Sequence, residues 1–396
     1  MIELTTEECQ EIIQILSNSN DIEIVKFSAE HFGDFLGFLG EYYRLNITAI
    51  VNNNEPQGFQ FFAKSLPIKD LRKRRSMLIK SGIFKKEFQI YKEILSKFIK
   101  IDVNDGIWCS KVFLVRDDLI VFNDLTLENF KVLPDGVSDF EVEYVEATLK
   151  TLAAFHACSI AFEKQQNVQI GEKFSEILFE TSVMDHGWFH SGLATIQKIA
   201  ELHFNIPKSN EFYQKLFNVI QIMEDSPFDV PKVLCHRDTW KNNLMFRKDE
   251  NGVQCILIDF QTSRYLALTI DVNMAIILTT RPNHHKQLRN HYLEFYFKNL
   301  IEKLKKFKID INSVMNFENY LKSCEYHKKV LLIYKAIAVM LTQPPQELFK
   351  DFTEADYKDF AEGDRCRLVL KFMEQNEFFK ECLVEAVQEI VEEFCC

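Results

Sequence analysis

Val233-Leu234-Cys235-His236-Arg237-Asp238-Thr239-Trp240-Lys241-Asn242-Asn243-Leu244-Met245-Phe246, followed by Cys255-Ile256-Leu257-Ile258-Asp259-Phe260-Gln261, is the stretch from which the fold can be read. Asp238 and Asn243 are five residues apart, and Asp259 lies sixteen further on, at the end of an apolar run. Between them Lys248-Asp249-Glu250-Asn251-Gly252 breaks two strand-like segments, and Asn-Gly is a hairpin-turn signal. The metal-binding candidates Asn243 and Asp259 would then emerge from one hairpin, side by side. A carboxylate that accepts a hydroxyl proton, an amide oxygen and a second carboxylate holding Mg2+ against phosphates are what phosphoryl transfer requires. Either short motif alone is an ordinary loop; the spacing and the hairpin together point to that chemistry, with Asp238 catalytic.

Working outward, the preceding chain should supply the phosphate cover and its paired lysine. Tyr42–Val51 and Phe59–Leu66 read as strands joined by a hairpin at Asn52-Asn53-Asn54-Glu55-Pro56. Gly33, Gly37 and Gly40 precede them; the pattern is not a clean G-x-G-x-x-G and serves a tight turn equally well, though glycines let backbone amides approach phosphate. Lys64 ends an aromatic strand, where a charged head needs a partner. On a helix near 84–99, Phe84, Phe88, Tyr91 and Leu95 form an apolar stripe with Glu87 beside it and Glu93 on the opposite face. Glu87 is therefore the expected partner of Lys64 in ATP binding. Two more strands, Ser110–Val115 and Leu119–Leu125, flank Arg116-Asp117-Asp118. From about 140 the pattern is mainly helical, apart from a β-rich stretch at 229–262. The expected organisation is a β-rich nucleotide-binding lobe over residues 1–123 and a mainly helical catalytic and substrate lobe over 124–396.

The 396 residues carry a net charge of -11, with 47% hydrophobic residues and 36 Phe. That is a globular composition, and the acidity argues against nucleic acid or an anionic membrane as partner. No apolar run is long enough for a membrane span. At the N-terminus Thr5 reads as a helix cap, Glu8 as its capping-box partner, and Ile12, Ile13 and Leu16 as one apolar face, in place of a signal peptide. Ten Cys without metal-site spacing suit reduced thiols and a cytoplasmic location.

The ordered set of F-F-A-K-S-L-P, F-K-K-E-F-Q-I-Y, F-N-D-L, A-A-F-H-A, C-H-R-D-T-W-K-N-N-L-M-F and I-D-F-Q resembles the insect ecdysteroid kinase-like family, related to choline kinases and aminoglycoside phosphotransferases. The resemblance extends from about residue 25 to 390. It implies a two-lobed, protein-kinase-like α+β fold with ATP and Mg2+ in the cleft between lobes. It further implies that Lys64 holds phosphates, Glu87 pairs with it, Asp238 is the catalytic base, Asn243 and Asp259 bind magnesium, and Asn123-Asp124-Leu125 is the hinge meeting adenine. The family usually has Glu where Asn123 stands and Gly where Arg237 stands. The implied acceptor is a hydroxylated small molecule, an ecdysteroid or a dietary toxin or its conjugate. With no A-P-E segment after Asp259-Phe260-Gln261, a peptide acceptor does not fit. A choline or aminoglycoside acceptor is the enzymatic alternative, and a nucleotide-binding pseudokinase the non-enzymatic one.

Other features read more simply. Asp271 begins a helical run, either as its N-cap or, by the resemblance, as a brace for the catalytic loop. His156 reads as a core histidine with one hydrogen bond, and Arg72-Lys73-Arg74-Arg75 as a solvated loop. His284-His285 lack acidic partners in sequence, and Trp188, Phe189 and His190 line an acceptor pocket or belong to the core. Cys395-Cys396 reads as a frayed end, with lipidation the alternative.

Overall fold

The computed structural model describes residues 2–32, 40–67, 74–101, 108–134, 137–181, 187–207, 210–349 and 352–395. Nine strands are named in chain order: β1 Ile22–Phe32, β2 Glu41–Val51, β3 Gln57–Ser65, β4 Val112–Arg116, β5 Leu119–Asn123, β6 Lys232–Cys235, β7 Leu244–Asp249, β8 Gly252–Leu257 and β9 Arg264–Ala267. The helices are α1 Thr6–Ser17, α2 Arg74–Ser81, α3 Ile83–Ile90, α4 Ser96–Ile101, α5 Val142–Gln166, α6 Ile170–Lys173, α7 Gly187–Phe204, α8 Asn210–Val219, α9 Thr269–Thr279, α10 Pro282–Lys306, α11 Phe317–Thr342, α12 Glu354–Glu362, α13 Arg365–Gln375 and α14 Glu377–Cys395. Two compact units result, one of Met1–Lys131 with Met245–Arg247 and Ile256–Thr262, the other of the remaining residues.

The first unit is built on an antiparallel sheet in the order β1-β2-β3-β5-β4. Alternation fixes its faces: Leu45, Ile47, Ala49, Phe61 and Ala63 point to one side and join Cys9, Ile12 and Ile13 of α1 in a core. Thr5 and Glu8 form the expected capping box. Leu16, read as part of the same apolar face, is 40% exposed, because the buried stripe is Cys9-Ile12-Ile13 and the helix ends one residue later. Strand β1 is not marked by the sequence pattern; it is an edge strand, mostly exposed and bulged between Ile24 and Lys26. On the other face Tyr42 stacks on Phe62, Phe122 meets Tyr91, and α3 packs with Phe84 and Phe88 buried. The expected helix at 84–99 is a run of α3, a π-helical turn at Tyr91–Leu95 and α4.

In the second unit α5 is buried over most of its length and α9 almost entirely, which explains the continuous apolar character of both segments. The short pair β6-β9 carries the loop containing Asp238. Strands β7 and β8 form the hairpin that Asn251-Gly252 predicts; Gly252 has φ +107, and the Asp249 carboxylate accepts the Asn251 amide at 2.8 Å. Against α7, Gly192 leaves room for Ile337 of α11, since a Cβ there would come within 2.8 Å of the Ile337 side chain. No helix among the described residues is long and apolar enough to cross a membrane.

Candidate active site

In the first unit, Lys64 near the end of β3 is 4% exposed and donates to Glu87 Oε2 at 2.6 Å. Its Nζ also lies 3.3 Å from Asp259 Oδ2. Burial alone would lower the ammonium's pKa, but the charges of Asp259 and Glu87 outweigh it and raise it. Glu87 is 1% exposed, and burial pushes its carboxyl up to about 7 against the pull of Lys64. One ammonium thus serves two carboxylates. The helix face that the spacing assigns to Glu87 is the observed one, and Glu93 is only partly buried.

Asp259 turns one oxygen to Lys64, while Oδ1 is buried and has no hydrogen-bond partner. An orphaned carboxylate oxygen is costly without a cation or other donor, and a hard oxygen ligand is what magnesium takes, so the donor set fits the ion. Asp259 adopts φ 67, a left-handed backbone conformation. Gly40 lies directly on the Lys64 stem, where a Cβ would meet Lys64 Cγ and the Ser65 carbonyl at 3.3 Å. Gly33 and Gly37 fall outside the described residues, as do Arg72 and Lys73.

The side chains of Asn123 and Asp124, in the segment expected to meet adenine, are engaged locally. Asn123 accepts the Lys111 amide at 2.8 Å and donates to Glu128, also at 2.8 Å. Asp124 caps the short 3-10 turn Leu125–Glu128, accepting the Thr126 amide at 3.0 Å, and its other oxygen receives Gln60. Leu125 is buried. Backbone groups are what this segment has to offer a ligand.

In the second unit, Asn243 donates through Nδ2 to Asp238 Oδ2 at 2.8 Å and to the Asp238 carbonyl at 3.0 Å. That orientation reserves the Asn243 amide oxygen as the atom suited to a cation. Asp271 is the third residue of α9 and does not cap it; its carboxylate accepts the His236 amide at 2.6 Å and the Arg237 amide at 2.8 Å. The brace is therefore the observed arrangement. It secures a strained turn, because Arg237 has φ 68, a conformation costing a non-glycine residue about 1–2 kcal/mol. Among the other positive-φ non-Gly residues, Asn predominates.

Sequence reasoning missed Glu180, which accepts from the wholly buried Arg237 at 2.7 Å and from Arg264 at 2.6 Å. The departure from Gly at Arg237 was its only signal. His156 has two partners, not one. His284 and His285 each meet a carboxylate, Asp139 at 2.8 Å and Glu389 at 2.7 Å, although not a shared one. Among the described residues, the His/Cys/Asp/Glu set close enough to share an ion is His156, Cys235 and Asp271, whose His and Asp are already engaged with each other and with the loop amides. Phe189 is core, and His190 bonds Tyr213.

The fold, with these acidic, amide and lysine groups, defines a small-molecule kinase of the protein-kinase-like class. The chain belongs to the ecdysteroid kinase-like family, whose sequence model matches residues 36–309. No curated protein sequence matches. Among solved structures it is similar to a candidate aminoglycoside phosphotransferase from Ralstonia eutropha JMP134, at 13% identity and TM-score 0.43, with 96% of this chain and 99% of that one covered. A streptomycin-ATP complex of APH(2")-IIa matches at 13% identity and TM-score 0.39, covering 98% and 99%. The choline kinase LicA of Streptococcus pneumoniae matches at 13% and 0.38, covering 93% and 99%.

Proposed function

We propose that the protein transfers the γ-phosphoryl group of ATP, with Mg2+, to a hydroxyl of an apolar, hydroxylated small molecule, most simply an ecdysteroid or a hydroxylated dietary toxin or its conjugate. The observation that carries the reading is Asp259, with one oxygen on Lys64 and the other buried and unpartnered. In this reading Lys64, oriented by Glu87, neutralises phosphate charge. Asp259 and the Asn243 amide oxygen would hold the metal, which would offset charge developing on the phosphoryl oxygens. Asp238 orients the acceptor hydroxyl and takes its proton as the new O–P bond forms and ADP leaves. Gly40 belongs to the phosphate cover, and Asn123-Asp124-Leu125 meets adenine through its backbone.

A pocket in the second unit, lined among others by Trp240, Lys241, Leu278, Arg281, Lys335 and Glu385, supports this choice of acceptor. Trp240 is two residues past Asp238. Glu385 is the one carboxylate in that lining, and Arg281 already binds it in bidentate fashion at 2.6 and 2.9 Å. Apolar walls and three cations, two of them already paired with Glu385 and Glu389, support a neutral or anionic acceptor over a cationic one.

The test is phosphate transfer from ATP and Mg2+ to a panel of ecdysteroids, glycosides and amino alcohols, with Asp238→Asn as control. The expected result is transfer to a neutral hydroxylated acceptor, lowered about 100-fold or more in the variant. No acceptor-dependent transfer favours a pseudokinase, and equal transfer by the variant overturns the role of Asp238.

A further inference from the structure

We propose that His156 and Tyr296 are positioning residues, holding Asp271 in the one orientation that fixes the backbone immediately before Asp238. All three side chains lie in the second unit and are wholly buried. Tyr296 Oη lies 2.7 Å from His156 Nδ1, and His156 Nε2 lies 3.1 Å from Asp271 Oδ2. The same Oδ2 accepts the His236 amide, and Oδ1 accepts the Arg237 amide.

Proton accounting sets the directions. A carboxylate only accepts, so His156 must carry its proton on Nε2 and donate it to Asp271. With a single proton, placed on Nε2, the ring has Nδ1 as its acceptor. Burial keeps the Tyr296 phenol well above its usual pKa and so protonated, which makes it the donor to Nδ1. Tyr296 thereby selects the tautomer of His156, and His156 stops the Asp271 carboxylate from rotating away from two consecutive amides. The second of those amides belongs to Arg237, whose left-handed backbone would relax if released. Asp238, the next residue, would move with it.

The assignment of the loop as catalytic rests on the function proposed above, whereas the clamp itself does not, and the experiment separates them. Amide hydrogen exchange at His236 and Arg237 is measured by mass spectrometry in the full chain as wild type, His156→Leu, His156→Gln and Tyr296→Phe. The first and last variants should exchange about 10-fold faster or more at these two amides, with circular dichroism unchanged. His156→Gln, which can place an amide N–H where Nε2 stood, should restore most of the protection. Unaltered exchange in Tyr296→Phe and in His156→Leu, or no rescue by glutamine over leucine, overturns the clamp. Should the leucine variant fail to fold, the comparison of wild type, His156→Gln and Tyr296→Phe decides alone, with faster exchange in Tyr296→Phe required.

In parallel, turnover of ATP and Mg2+ with the best acceptor, or with water as acceptor, should fall on the order of 100-fold in kcat for His156→Leu, with KM for ATP within about 2-fold. A loss confined to KM contradicts positioning of Asp238. A wild-type protein that turns nothing over, yet shows the exchange pattern, keeps the clamp and removes the catalytic reading.

Discussion

At Arg237 two opposed terms meet in one side chain. Its backbone is left-handed, which glycine would adopt without strain, while its guanidinium is buried against Glu180 with Nε and Nη2 unpartnered. Breaking a buried ion pair usually costs about 3–5 kcal/mol, but Glu180 keeps Arg264, and strain relief returns about 1–2 kcal/mol. Arg237→Gly should therefore be destabilising by about 2 kcal/mol, read from the urea midpoint at unchanged m-value. A stabilised variant would mean the side chain contributes less than its backbone costs. Asp238, Asn243 and Asp259 can be proposed from sequence because their chemistry and spacing lie within one short segment. Glu180 cannot, since nothing in a linear pattern marks a carboxylate 57 residues away as the partner of a loop arginine.

Among the elements, α9 and α11 meet through polar groups as well as apolar ones. His327 on α11 is buried, its Nδ1 2.8 Å from Thr269 Oγ1 at the start of α9. Burial lowers its pKa from 6.5 to about 4. Between those values the unfolded chain binds a proton that the folded chain refuses. Stability is thus intact above pH 6.5 and falls as pH drops towards 4, by about 3 kcal/mol in total. His327→Asn should reduce by about one proton the slope of unfolding free energy against pH in this window; an unchanged slope assigns the proton elsewhere. Where α7 crosses α11, Gly192→Ala would drive a Cβ into the stiff, β-branched Ile337, and overpacking of this kind costs about 1–3 kcal/mol, measurable as a lowered Tm. The strands that bury alternate residues, β2 and β3, were readable in advance. The edge strand β1, the four-residue β9 and the π-helical turn were not, because an exposed strand need not alternate, four residues carry no period, and a π turn differs from an α turn by one inserted residue.

For the whole molecule, the division into units is discontinuous: residues 245–247 and 256–262 belong with the first 131, although a helical segment of sequence separates them. A linear boundary cannot express that, because the β7-β8 hairpin is divided between the units. Lys64, Glu87 and Asp259 belong to one unit, and Asp238 and Asn243 to the other. A ligand that binds only the folded chain stabilises it by about 2.7 kcal/mol at 100 times its Kd, which for a protein of this size should raise Tm by about 3 °C. Mg·ATP should give that shift, and part of it should vanish when the metal is chelated by EDTA. Asp259→Asn should retain the ATP-only shift while losing the magnesium-dependent increment, since an amide keeps the shape of the side chain but removes the charge that the orphaned Oδ1 offers a cation. An increment of equal size in wild type and variant would show that the metal is held elsewhere and leave Asp259 as a partner of Lys64 alone.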